Sequence, residues 1–229
     1  MKPQQEAYFM GRIAAAITHE LKNILAVISE TIGLLEDLAN MPLQDVPPDK
    51  YLGKIKKSLT TVNAQVAKGI NLADDYNRFA HILDNPTKRI NLCDSIQHLI
   101  RLCSHIIHLK QIKVEQQIPE GKQNIHLTTS PFYLYMVVFE ILDVLMSQLS
   151  PGSSITIKTN KNGNIAMICF ASEDSRGISQ FSAIVKQFSL SVEPILKEFE
   201  AQWFFDDEEK TLKLLIRDLD PGTHLSVAK

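Results

Sequence analysis

Two heptad series fill the opening stretch of this 229-residue chain and leave few folds open to it. In the segment Gln4 to Met41, apolar residues recur at Met10, Ala14, Ile17, Leu21, Ile24, Ile28, Thr31, Leu35 and Leu38. Their steps alternate four and three, the seam of a long helix that packs along its whole length. Met41 to Pro48 holds three prolines and reads as a turn, after which Asp49 can cap a second helix running to Leu83. The second helix repeats the pattern at Leu52, Ile55, Leu59, Val62, Val66, Gly69, Ala73, Tyr76, Ala80 and Leu83. Two helices of about 35 residues joined by a short loop must lie antiparallel, each about 50 Å long. Such a hairpin cannot bury its own stripe, which in the first helix also takes in Ile13, Leu25, Val27, Ile32 and Leu34. A second copy would cover it, making a four-helix bundle from a homodimer; the C-terminal half is the other candidate cover.

Asn85-Pro86-Thr87 ends the hairpin and divides the chain into 1–86 and 87–229. Beyond it, helices and strands mix. Arg89 to Leu92, Ile112 to Ile118, Ile125 to Leu127, Ser154 to Thr159 and Ile165 to Phe170 read as strands, with Asn162-Gly163 as a hairpin turn. Gln202 to Phe205 and Thr211 to Arg217 read as a last hairpin. Asp94 to Lys110 and Phe132 to Leu149, opened by Pro131, read as helices, and a further one spans Gly177 to Glu200 with an interruption at Pro194. This order predicts an α+β chain: the helical hairpin followed by an α/β sandwich, one mixed sheet with helices on one face. A net charge of −2 and a charged content of 22 % give no field suited to nucleic acid or a membrane surface. No apolar run reaches the roughly 18 residues needed to span a bilayer, and Gln4, Gln5 and Glu6 break any signal-peptide pattern. The cysteines, Cys93, Cys103 and Cys169, are odd in number and widely spaced, as expected in a reducing cytoplasm.

The residue that stands out is His19, in Thr18-His19-Glu20-Leu21-Lys22-Asn23. At about 100° per residue it falls almost opposite the first seam, held toward solvent on a rigid helix. Imidazole is a good nucleophile toward phosphorus and a good leaving group once protonated. Glu20 can accept a hydrogen bond from the ring's Nδ1–H, leaving Nε2 free to attack. Asn23, one turn on, can orient a water or a phosphoryl oxygen. Ala15, Ala16 and Ala26 surround the histidine with small side chains. A zinc site of the form His-Glu-x-x-His fails because the second ligand position holds Asn23.

His19-Glu20-Leu21-Lys22-Asn23, on the first of two heptad helices, resembles the H-box of sensor histidine kinases. The family pattern, His-Glu-x-basic-Asn-Pro-Leu, is matched at His19, Glu20, Lys22, Asn23 and Leu25, with Ile24 in place of proline. The resemblance implies that His19 is the phosphoryl site, Glu20 the assisting base, and Glu20 with Asn23 the pair used for phosphatase activity. It also implies that the second half resembles the family's ATPase domain. The nucleotide chemistry is incomplete there. Glu140 and Val144 stand where the family has asparagines, and valine cannot coordinate magnesium. Asp174-Ser175-Arg176-Gly177 is a remnant of the adenine motif with Ser179 in place of a second glycine, and the scattered glycines cannot build a phosphate lid.

The chain is therefore closest to the dimeric histidine phosphotransferases, a bundle joined to a degenerate kinase domain. The expectation is a cytoplasmic phosphorelay protein that exchanges phosphoryl groups with response-regulator receiver domains on His19. It would use no cofactor or metal of its own, magnesium coming from the receiver, and would bind neither nucleic acid nor membrane. The rival readings are an active histidine kinase with a divergent ATP site and a non-catalytic scaffold of a kinase or receiver. His98, His105 and His108 on one helix read as partly exposed surface histidines. Trp203-Phe204-Phe205 and Asp206-Asp207-Glu208-Glu209 read as a packed strand and a solvated turn. Lys54, Lys56, Lys57 and Lys68 give the second helix positive charge that suits an acidic receiver or plain solvent.

Overall fold

The first heptad series forms one uninterrupted helix, α1 (Lys2–Asn40), in a computed structural model that describes residues 2–41, 47–118, 124–172 and 192–220. The second forms α2 (Pro48–Ala80), antiparallel to it, followed by a single 3₁₀ turn at His81–Leu83. Most of the connecting turn lies outside the described residues. Pro47 and Pro48 start α2, with Pro47 in the cap position, so Asp49 sits in the first turn and not at the cap. Proline suits that place because its missing N–H is one the helix end leaves unpaired anyway.

The α/β part follows the expected order with three differences. The helix expected over Asp94 to Lys110 is two helices, α3 (Leu92–Leu102) and α4 (Ser104–Leu109), meeting at Cys103. The i→i−4 bonds Cys103 N to Leu99 O and Ile107 N to Cys103 O run across the joint, so the apolar period carries no sign of it. The strands form two sheets where one was expected. β1 (Lys88–Asn91) and β3 (His126–Thr129) pair as a separate antiparallel ribbon beside the starts of α3 and α5 (Pro131–Gln148). The main sheet takes β2 (Lys113–Gln117), β4 (Ser154–Asn162), β5 (Ile165–Ser172), β6 (Ala201–Asp206) and β7 (Thr211–Arg217) in the order β2-β4-β5-β7-β6. Only β2 and β4 run parallel. Third, the β4–β5 loop is Gly163-Asn164, since Asn162 pairs with Ile165. Gly163 has φ 59° at the first loop position, which a type II′ turn reserves for glycine. Residues 192–198 are helical and contain Pro194 without a break; the rest of the helix expected from Gly177 lies outside the described residues.

The core lies between the sheet and α3 and α5. Ile155 and Ile157, Ala166, Ile168 and Phe170, and Leu212, Leu214 and Ile216 project from alternate positions of β4, β5 and β7. Helix α5 is apolar and long enough to cross a membrane by composition, but it is the core helix, with twelve buried residues from Pro131 to Met146. Trp203 packs against this core, while Asp206 accepts hydrogen bonds from the Glu208 and Glu209 amides in the turn that follows.

The same core continues into the hairpin. Phe9, Ile13, Ala16 and Ile17 of α1 and Phe79 of α2 are buried within it. Phe9 meets Phe79, Phe132 and Phe139 with ring centroids 5.7, 5.8 and 5.3 Å away. A polar clamp lies alongside. Fully buried His98 of α3 receives the Tyr135 hydroxyl at Nδ1 (2.9 Å) and donates from Nε2 to the Asp75 carbonyl of α2 (2.9 Å). Arg101 grips the Asp75 carboxylate through two hydrogen bonds of 2.7 and 2.8 Å. His98 is therefore not the surface histidine the sequence suggested. The α/β part covers the start of the hairpin stripe; farther along, Ile24 and Leu38 are also buried, but Leu21, Leu25, Ile32, Leu34, Leu52, Leu59, Val66 and Ile70 are all exposed.

Burial holds the His98 pKa below its ordinary 6.5. As the pH falls through 6.5, the unfolded chain binds a proton that the folded one refuses, so stability drops with acid. Thermal unfolding from pH 7.5 to 5 is expected to show this slope, and His98→Gln to flatten it; equal slopes would refute the assignment. Phe9→Ala is expected to cost about 3–5 kcal/mol in denaturant unfolding.

Candidate functional site

His19 lies on the exposed side of α1, two positions after Ile17 enters the core. Its ring is exposed at one face only. The other is covered by His105 of α4, stacked at 4.1 Å between centroids with 23° between planes. The turn at Cys103 makes this possible: it lets Ile106 and Ile107 enter the core while His105, between Cys103 and Ile106, meets α1. His105 is thus mostly enclosed, at 11 % side-chain exposure, and not a surface histidine. Ala15 and Ala26 stay open, whereas Ala16, expected beside them, is buried.

The partners of the motif differ from those expected. Nδ1 of His19 lies 3.4 Å from the Asn23 amide nitrogen, one turn on. An amide N–H donated to Nδ1 selects the tautomer with its proton on Nε2. Rotating the Asn23 amide presents its oxygen, moves the proton to Nδ1 and frees the Nε2 lone pair. Asn23 is so placed that it selects the tautomer, the task expected of Glu20. Glu20 instead accepts a hydrogen bond from Lys68 of α2, and its second oxygen lies 3.9 Å from His105 Nδ1. The Lys68 bond, outweighing partial burial, holds the Glu20 carboxyl below its ordinary pKa of 4.5. Lys68, read in the sequence only as one of four helix charges, is the member that reaches the motif. His105 carried no sequence signal, because its approach to His19 depends on how α4 packs on α1.

The α5 side chains at and beside the positions that the sequence sets against magnesium ligands are committed elsewhere. Asp143 forms an ion pair with Arg12 of α1 at 3.1 Å. The Arg12 guanidinium also donates to the Tyr8 hydroxyl (2.7 Å) and lies 5.5 Å from the centre of the Phe139 ring. Burial, with Asp143 close by, raises the Glu140 pKa and favours its neutral form. Val144 packs against the core. One carboxylate held by arginine, one biased toward protonation and a valine do not fit a magnesium ion. Among the described residues, no three His, Cys, Asp or Glu side chains are grouped to hold a metal. Asp174, Gly177 and Ser179, the adenine-motif remnant, lie outside the described residues.

No family model and no curated protein matches the sequence. Solved structures similar to the chain include histidine kinases. The catalytic domain of histidine kinase ThkA in a nucleotide-free form is 10 % identical, with a TM-score of 0.44 over 58 % of this chain and 95 % of that one. Histidine kinase AdeS of Acinetobacter baumannii, also 10 % identical, has a TM-score of 0.44 over 88 % of this chain and 98 % of its own. ThkA in complex with the response regulator TrrA is 12 % identical, with a TM-score of 0.45 over 94 % of this chain and 64 % of that one.

Removing the Lys68 ammonium is expected to return Glu20 toward its ordinary pKa. Carboxyl-carbon NMR titration of Lys68→Ala should show a higher midpoint than wild type; an unchanged midpoint would mean that the pair is not formed in solution.

Proposed function

We propose that the chain is a two-component phosphorelay protein that carries a phosphoryl group on His19 between response-regulator aspartates, without ATP binding of its own. The observation that carries this reading is the contrast between two sites about two turns apart on α1. At one, His19 is accessible, with Asn23 on its Nδ1 and the Glu20–Lys68 pair beside it. At the other, Arg12 ties up Asp143, next to the Val144 position that would need a magnesium ligand.

The chemistry asks little of the chain. Nε2 of His19 attacks the phosphorus of a receiver's aspartyl phosphate in line with the departing carboxylate, and the reverse step delivers the group to a second receiver. The receiver brings magnesium for the phosphoryl oxygens. Asn23, with its amide rotated to present the oxygen, holds the proton on Nδ1, and Lys68 reaches the motif through Glu20. Glu20, lowered in pKa and paired, serves as an ionic anchor for Lys68 as well as a carboxylate near the ring.

The hairpin 1–86 is the docking and transfer part in this reading, and 87–229 holds it and completes the surface around His19. A second copy covers the open stripe as a four-helix bundle. All three cysteines are free and buried, which suits a reducing cytoplasm.

Mixing the protein with phosphorylated receivers is expected to discharge them in minutes, and His19→Ala to abolish the exchange; equal behaviour of the two removes the reading. Calorimetry with Mg-ATP is expected to give no binding heat, and micromolar affinity with labelling of His19 would make the chain a kinase instead. Light scattering is expected to give a dimer. Leu59 and Ile70 are 51 % and 57 % exposed within one chain, so Leu59→Asp with Ile70→Asp costs a folded monomer little and should separate the copies.

A further inference from the structure

His105 has no place in the motif, yet it makes the closest ring contact of His19. Four groups face it: His19 and Glu20 from α1, Lys68 from α2 behind Glu20, and His108 one turn along α4. A short helix with a half-exposed surface would ordinarily leave such a side chain to solvent. Here it lies flat on the ring that the proposed reaction uses, with its Nδ1 turned toward a carboxylate already paired to lysine.

Two imidazole rings stack well when neither carries charge, and repel when both do. Burial and the neighbouring histidine both lower the proton affinity of His105 in the resting site, with Glu20 opposing. A phosphoryl group on Nε2 of His19 reverses that balance, since it adds about two negative charges within reach of the second ring. We infer that His105 is a positioning residue for the phosphoryl group: neutral, it holds the His19 ring by stacking, and protonated, it joins Lys68 in neutralising the phosphoryl oxygens after transfer. The step balances simply. The N–P bond to Nε2 forms as the P–O bond to the donor aspartate breaks, and the carboxylate leaves with its electron pair. The His19 ring passes through the imidazolium and then releases its Nδ1 proton to solvent, so the loaded ring is neutral under a phosphoryl dianion; the proton gained by His105 comes from solvent.

This inference rests on His19 being the phosphoryl site, but its test needs no receiver. Potassium phosphoramidate phosphorylates histidine directly. Ring-nitrogen NMR of the full chain, before and after this treatment, is expected to show the His105 titration midpoint rising by about one pH unit or more, tenfold in proton affinity. His19→Ala treated the same way should show no such rise. An unchanged midpoint, a rise of equal size in His19→Ala, or loading of other histidines with His19 left bare overturns the inference. His105→Phe keeps a flat ring and cannot take a proton. It should load His19 at less than about a third of the wild-type rate near neutral pH and lose the wild-type pH dependence, whereas His105→Ala should also free the ring. Equal rates and equal pH profiles for all three again overturn it. A receiver assay that fails while His105 titrates as stated removes the relay and leaves the local chemistry standing.

Discussion

Phe9 couples the two parts of this molecule. Its ring is fully buried among Phe79, Phe132 and Phe139, so one side chain touches the far end of α2 and two turns of α5 at once. Dispersion and burial at this point are not directional, and on their own they would allow the hairpin to rotate. The clamp of His98, Tyr135, Asp75 and Arg101 adds direction, because hydrogen bonds to a backbone carbonyl and a forked guanidinium hold only one geometry. Together they fix where α4 lies along α1, and with it the contact between His105 and His19. The His19 ring is thus positioned by contacts remote from it, at Phe9 on its own helix and at the clamp on α2, α3 and α5.

The sequence carried the parts of the fold that follow from period and from special backbone geometry. The hairpin was legible because heptads persist over two long segments. Helix α5 was legible from Pro131 and a long apolar run, and the β4–β5 turn from Gly163. The break at Cys103 was not, since no proline or glycine marks it and the apolar residues keep helical spacing on both sides. The β1–β3 ribbon was not, because four-residue strands carry no information about which sheet they join. Within the candidate site the sequence supplied His19, Glu20 and Asn23 but misassigned the first hydrogen bonds. A carboxylate beside a histidine in sequence points away from it on a helix, whereas a residue four along points the same way. That geometry gives Asn23 the ring and turns Glu20 toward Lys68.

Charge placement follows a common logic across α1. Two acids near this helix have tethered cations: Glu20 has Lys68, and Asp143 has Arg12. Both cations come from the hairpin. A side-chain cation cannot leave, so it fixes local charge without any soluble ion. At Asp143 this closes a face of α5, while at Glu20 it pairs the carboxylate that follows His19.

The Arg12–Asp143 pair spans 131 residues of chain, and Phe9 closes a loop of similar length. Contacts so distant form late, after a large loss of chain entropy. At about 5–20 residues per second of synthesis, α1 leaves the ribosome on the order of ten seconds before α5 exists. For that interval its apolar stripe has α2 as its only intramolecular shelter. Newborn hairpins meeting on a shared message would find each other before finding their own α/β part. In the proposed dimer, assembly between copies would then precede completion of each copy.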